Sequence, residues 1–188
     1  GLTNAADAMF GLECGGRVVA VGDGVTEFRE GDEVAGLVMG SMASHVTAPV
    51  QYFAPKPPGL SHEEVVATSF VMMTAIRALE TGAGLKAGEK VLIHAASGGV
   101  GQAAVMLAQS IGAEVFGTAS PPKQQFLRDQ GVQHVMNSRT LDFADEIMTI
   151  TNGEGVDVVL NSLNEDYIPK SLSVLKPGGR FIAIGAIG

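Results

Sequence analysis

The chain has 188 residues, 46% of them apolar and 17% charged, with twenty-five glycines and a formal net charge of −8 at pH 7. That length suits one domain plus part of another, with apolar content for a packed core and too little charge for a disordered chain. The acidic balance argues against nucleic acid or an anionic membrane as a general partner. The lone Cys14 excludes an internal disulfide, and with no apolar run of spanning length and no secretory leader the chain reads as soluble and cytoplasmic.

Residues 1–12 read as irregular. Short strands follow over 16–21, 33–38 and 43–48, with turns at 22–24 and 28–32. This is β structure without a helical period, too short for a closed barrel and so part of one. Pro55, Pro57, Pro58 and Gly59 end it. Ser61 is an N-cap, with Glu63 and Glu64 facing the helix dipole in the first turn. The helical stretch runs to Leu79 or Glu80, with an interruption near Ser69. Loops occupy 82–84 and 86–88.

Val91, Leu92 and Ile93 make a short apolar run, as in a strand buried on both faces. The chain turns through Ser97, Gly98, Gly99, Val100 and Gly101, continues as a helix from Gln102, stops at Gly112, and enters a second strand over 114–118. A strand, a glycine turn, a helix and a parallel strand make the first βαβ unit of a dinucleotide-binding fold. A pyrophosphate there sits against free N–H groups at the helix N-terminus. Gly98 and Gly99 let it approach, and Gly101 lets the helix pack close to the strand. Ala96 replaces the first glycine of the common fingerprint, giving A-x-G-x-x-G, a weak signal by itself.

Ser120 then reads as an N-cap with Pro121 at the first helical position, and Gly131 as the stop. Further strands are predicted over 134–137, 156–160 and 180–184. Helices are predicted from an Asp142 cap to about residue 150 and over 167–175, with a turn at Pro177, Gly178 and Gly179. The alternation predicts an α/β fold with a doubly wound parallel sheet and right-handed crossovers. The boundaries are 1–70 for the partial β domain and 71–188 for the nucleotide-binding domain. Such a sheet usually has six strands, so both ends are expected to be cut from a larger polypeptide.

An NAD-specific site carries a carboxylate at the end of the second strand. Here Thr118, Ala119 and Ser120 stand there instead, which permits a 2′-phosphate. Ser120, Lys123 and Arg139 are the candidate ligands of that phosphate, and NADPH is the predicted cofactor. The plainer alternatives are a simple N-cap for Ser120 and solvated charges for Lys123 and Arg139.

The run Ala95 to Gly101 resembles the cofactor motif of zinc-independent medium-chain dehydrogenases/reductases of the quinone oxidoreductase type. Gly11 to Gly16 resembles that family's GroES-like substrate-domain signature, with Leu12 where zinc-dependent relatives have histidine. No cysteine cluster is present, so no metal site is expected. The segments 118–121, 137–143, 158–163 and 175–181 are most similar to the enoyl reductase domains of modular polyketide synthases.

The resemblance implies a Rossmann domain whose NADPH delivers hydride to the β-carbon of an α,β-unsaturated thioester on an acyl carrier protein, beside other synthase domains. It also implies that Thr74 lies over the cofactor and that Asn161, Ser162, Leu163, Ile184 and Gly185 line its nicotinamide half. Many such reductases carry a tyrosine at the place of Ile76 and a lysine at the place of Ala186. Neither residue here can give a proton, so no catalytic residue is named and ring closure remains open. The alternatives are a free-standing quinone or enone reductase, and a nucleotide-binding module with altered or lost chemistry. His94 is read as a core histidine, His45 as structural or at a cleft rim, and Cys14 as a small buried hydrophobe. Met72, Met73 and Met106 are read as helix packing, and Tyr167 as needing no catalytic role.

Overall fold

The computed structural model describes residues 9–185, and the chain parts into two units between Phe70 and Val71. In the first, β1 (Glu13–Arg17), β2 (Glu33–Leu37) and β3 (Phe53–Pro55) form an antiparallel sheet in that order. Cys14 stands opposite Gly36 and Arg17 opposite Glu33.

Three expectations need correction here. The strand predicted over 16–21 begins at Glu13 and ends at Arg17. No strand forms over 43–48. Ala43 N turns back onto Ser41 O (2.8 Å), and without a ladder partner among the described residues an extended segment cannot satisfy its backbone. A short strand, β3, forms at the proline break, because Pro55 sits on an edge strand where a missing N–H is tolerated.

α1 (His62–Ile76) opens with a reciprocal cap. Glu64 N donates to Ser61 Oγ (3.1 Å) and Ser61 N donates to the Glu64 carboxylate (2.8 Å). The predicted break near Ser69 is absent. The Thr68 and Ser69 hydroxyls donate to the carbonyls of Glu64 and Val65 at 2.8 and 2.6 Å, so neither competes with the helix. The helix widens into a π-helical segment at Arg77–Gly82. The continuous run His62–Gly82 has 21 residues, and its most apolar 18-residue stretch has mean hydropathy 1.2, so it is long and apolar enough to cross a membrane by length and composition alone, contrary to the expectation that no run approaches that length. Only 22% of that stretch is buried.

The second unit carries β4 (Lys90–Ile93), α2 (Gly99–Ile111), β5 (Glu114–Ala119), α3 (Pro121–Asp129), β6 (His134–Asn137), α4 (Phe143–Ile150), β7 (Val156–Asn161), α5 (Tyr167–Ser173) and β8 (Leu175–Ala183). All pairs in the five-stranded sheet are parallel, in the order β6-β5-β4-β7-β8. The predicted turn at Pro177–Gly179 is a bulge inside β8, where the register jumps between Val156↔Leu175 and Val158↔Arg180. Asp142 precedes α4 in helical conformation and makes no side-chain cap.

The strand alternation divides the core in two. Val91, Ile93, Val115, Val158 and Leu160 pack with the alanines of α2 on one face. Leu92, Phe116 and Val159 pack with Phe143 and Ile147 of α4 on the other. Each of these side chains is essentially unexposed, worth roughly 1.5–3 kcal/mol apiece. Met72 packs against the first face, but Met73 and Met106 are more than half exposed and do not share the packing role predicted for them.

The tightest point is Gly101. A Cβ there would press on the Ala95 carbonyl oxygen and lie 2.6 Å from Ala96 Cα, with only backbone to move. At Gly98 the nearest atom would be Ala95 O at 3.3 Å. Gly101→Ala should therefore lower unfolding free energy by ~2–3 kcal/mol, and Gly98→Ala by less than about 1 kcal/mol. Urea unfolding of both variants checks this, and equal midpoints would contradict the packing.

Candidate functional site

Parallel register brings five strand ends together. Ile93 pairs with Gly117 and with Leu160, Ala119 with Asn137, and Asn161 with Ala183. β4 lies between β5 and β7, so the loops after β4 and β7 diverge at one crevice, where an open α/β sheet binds ligands.

The glycine turn opens that crevice. Gly98 N donates to Ala95 O (2.8 Å), and Gln102 N donates to Gly98 O (2.8 Å). Ala95 is held at φ 47, in the left-handed region an alanine seldom enters. Gly98 occupies the N-cap position of α2 and supplies no side-chain cap. The N–H groups of Gly99, Val100 and Gly101 meet no acceptor among the described residues. Gly98 and Gly99 are exposed, and Ser97 and Val100 half-buried. These orphan donors with the dipole of a 13-residue helix suit an anionic group. A Cβ on Gly99 would lie 3.2 Å from Val71 of α1, so that part of α1 borders the turn. Thr74, half-buried, is three residues further on the same helical face.

The side chains of Thr118 and Ala119 are fully buried, so a ligand at the end of β5 would meet their backbone and not their side chains. The cause is that β5 is an interior strand with both faces covered. Ser120 does project at the N-cap position of α3, and its hydroxyl makes no cap bond, leaving it open. Lys123 on the first turn of α3 and Arg139 after β6 are exposed, and neither forms an ion pair among the described residues. The loop holding Arg139 is shaped by its own N–H donating to Asn137 Oδ1 (2.9 Å) and by Ser138 N donating to Ala119 O (2.9 Å).

At the end of β7, Asn161 is buried. Its amide donates to Leu163 O (2.7 Å), and its Oδ1 accepts from Leu163 N (3.3 Å). Its side chain thus shapes the Ser162–Leu163 turn. Ser162 Oγ is buried without a partner. Ile184 N donates to Asn161 O (2.9 Å), and a Cβ on Gly185 would lie 3.4 Å from Ser162 O, so these predicted residues do adjoin one another. Ile76 is exposed. Ala186 lies outside the described residues. A cleft of about 730 Å³ is lined by first-unit residues, including Cys14, Phe28, His45 and Phe53, and by none of the predicted site residues.

Beneath the turn lies a buried polar chain whose directions are fixed. The Ser171 hydroxyl donates to Tyr167 O (2.6 Å), so it accepts from His94 Nε2 (2.8 Å). His94 Nδ1 then accepts from Thr118 Oγ1 (3.1 Å), which itself accepts from Ala95 N (3.3 Å). His94 is neutral with its proton on Nε2, a core histidine as the sequence suggests. Burial lowers its pKa to about 4. Tyr167 Oη donates to Ser138 O (3.1 Å), a contact that sequence reasoning missed.

Two family models match the chain: an alcohol dehydrogenase GroES-like domain over residues 2–58 and a zinc-binding dehydrogenase over 99–188. Among the described residues no three His, Cys, Asp or Glu side chains come together as a metal site. The pikromycin polyketide synthase component PikAII of Streptomyces venezuelae is 44% identical over 180 residues, 95% of this chain and 5% of that protein. The CurK enoyl reductase crystal structure superposes with a TM-score of 0.96 at 53% identity, covering all of this chain and 57% of that one. The CurF ER cyclopropanase from the curacin A biosynthetic pathway gives 0.90 at 49%, covering 94% of this chain and 53% of that one.

The chain therefore belongs to the medium-chain dehydrogenase/reductase family, pairing a GroES-like part with a Rossmann part. Within it the close homologues are enoyl reductase domains of polyketide synthases, and the chain spans little more than half of their solved structures.

The neutral His94 makes the fold acid-sensitive. An unfolded chain protonates that histidine near pH 6.5 and the folded one only near 4. Between those values unfolding takes up a proton, and stability falls as pH falls. The loss from this group should approach ~1.4 kcal/mol per pH unit and total roughly 3 kcal/mol by pH 4. Urea unfolding from pH 7 to 4.5 should show a wild-type slope steeper than that of His94→Gln by this amount, and parallel slopes would refute the neutral buried imidazole.

Proposed function

We propose that the chain is the NADPH-binding part of an enoyl reductase domain of a polyketide synthase, reducing an α,β-unsaturated acyl thioester carried on an acyl carrier protein. The observation that carries this reading is the row of unpartnered N–H groups at Gly99, Val100 and Gly101. Likeness to polyketide synthases and to the CurK enoyl reductase supports the substrate class.

When bound, the cofactor would supply a hydride to the thioester β-carbon. The first turn of α2 would hold its diphosphate, and Ser120, Lys123 and Arg139 its 2′-phosphate, with no carboxylate at the β5 end to repel that group. The Asn161–Leu163 turn and Ile184–Gly185 would border the nicotinamide half. The enolate left on the substrate takes a proton at its α-carbon. Ile76 has none to give, and water or a group outside this chain would supply it.

A second reading, ring closure by that enolate in place of protonation, is supported by the 49% likeness to the CurF ER cyclopropanase and by the apolar Ile76. Product mass separates the two. Reduction adds two hydrogens, whereas closure expels a leaving group from the substrate.

The intact protein should bind NADPH at least tenfold tighter than NADH. Lys123→Ala and Arg139→Ala should each weaken NADPH by about tenfold, ~1.4 kcal/mol, and leave NADH within twofold. It should oxidise NADPH with crotonyl-pantetheine and not with quinones. Equal cofactor affinities would end the NADPH assignment, quinone turnover would favour a free-standing reductase, and binding without turnover a nucleotide-binding module.

A further inference from the structure

α5 carries two residues, Tyr167 and Ser171, whose contacts reach the loop after β6 and the turn after β4. The Tyr167 ring lies parallel to Phe143, 6.2 Å centre to centre. Its hydroxyl donates to the carbonyl of Ser138, the residue before Arg139. Its carbonyl accepts from Ser171, and through His94 and Thr118 that chain reaches Ala95 N. One short helix thus links the loop after β6 with the turn after β4 and, through His94, with the end of strand β5.

We propose that Tyr167 is a positioning residue for the 2′-phosphate: its hydroxyl pins the Ser138 carbonyl and so presents Arg139 to that group. The inference rests on the NADPH reading. Arg139 is exposed, and its one described bond, through its backbone N–H, is local. A long cation on an unpinned loop must be ordered when the phosphate arrives, and that ordering weakens binding. The half-buried Tyr167 hydroxyl adds to the Ser138 N–Ala119 O bond in fixing the loop in advance. Lys123 is on α3 and does not depend on it.

The test compares wild type, Tyr167→Phe, Arg139→Ala and the double variant in the intact protein. Phenylalanine keeps the ring against Phe143 and removes only the hydroxyl. Tyr167→Phe should weaken NADPH five- to tenfold and leave NADH within twofold. In the Arg139→Ala background it should add less than twofold, because the two act as one unit. Without cofactor, amide exchange over 138–140 should quicken in Tyr167→Phe. Unchanged exchange, equal weakening of both cofactors, or full additivity with Arg139→Ala would each overturn the proposal. A wild type without NADPH preference is a separate failure, of the NADPH reading itself. It would also remove the phosphate role of Tyr167, even where the exchange data still show the pinned loop.

Discussion

The contact between Gly101 and the backbone of Ala95 and Ala96 sets everything near it. No side chain fits between α2 and the end of β4, and the nearest atoms are backbone. That closeness brings the first turn of α2 up to the strand end, where its N–H groups find no acceptor. It also demands an abrupt turn, with Ala95 in the left-handed region at a cost of order 1–2 kcal/mol. The core below offsets that cost. Ala96 is unexposed, and its N–H donates to Thr118 O at 2.9 Å.

The polar chain under the turn is the second constraint. Thr118, His94 and Ser171 are buried, and each donor along the chain has an acceptor when His94 is neutral. Protonating Nδ1 would set it against the Thr118 hydroxyl, which would then have to turn away from it. At the opposite end of the sheet a separate set of charges fixes β8. Arg180 makes two bonds to Glu89, at 2.9 and 2.6 Å, and Asp157 accepts from Lys90 N and Lys176. Arg180 holds the Glu89 carboxyl below the usual carboxylate range. At the end of the sheet that carries the glycine turn, Lys123 and Arg139 form no ion pair among the described residues.

Much of this was legible in the residues. Val91-Leu92-Ile93 followed by glycines and a small-residue helix specifies β4, the turn and α2, because burial on both faces and close packing leave few other choices. Ser120 with Pro121 marked the start of α3, and the missing carboxylate at the β5 end was visible directly. What was not legible depends on partners distant in sequence. Whether 43–48 pairs as a strand depends on a neighbour that sequence does not name. That the Thr118 side chain is wholly buried depends on the packing of β5 between two layers. The link from Tyr167 to Ser138 spans 29 residues, with no motif to announce it. Ser69 resembled a helix breaker, yet its hydroxyl bonds within the helix.

On the proposed reading, the uncapped first turn of α2 receives the diphosphate of a nicotinamide cofactor. A crystal structure of the protein with NADP+ tests it most directly. Diphosphate oxygens should lie within hydrogen-bonding distance of the N–H groups of Gly99, Val100 and Gly101, with the 2′-phosphate toward Ser120. A cofactor bound with its diphosphate elsewhere, the turn being empty or filled by a protein side chain, would contradict it.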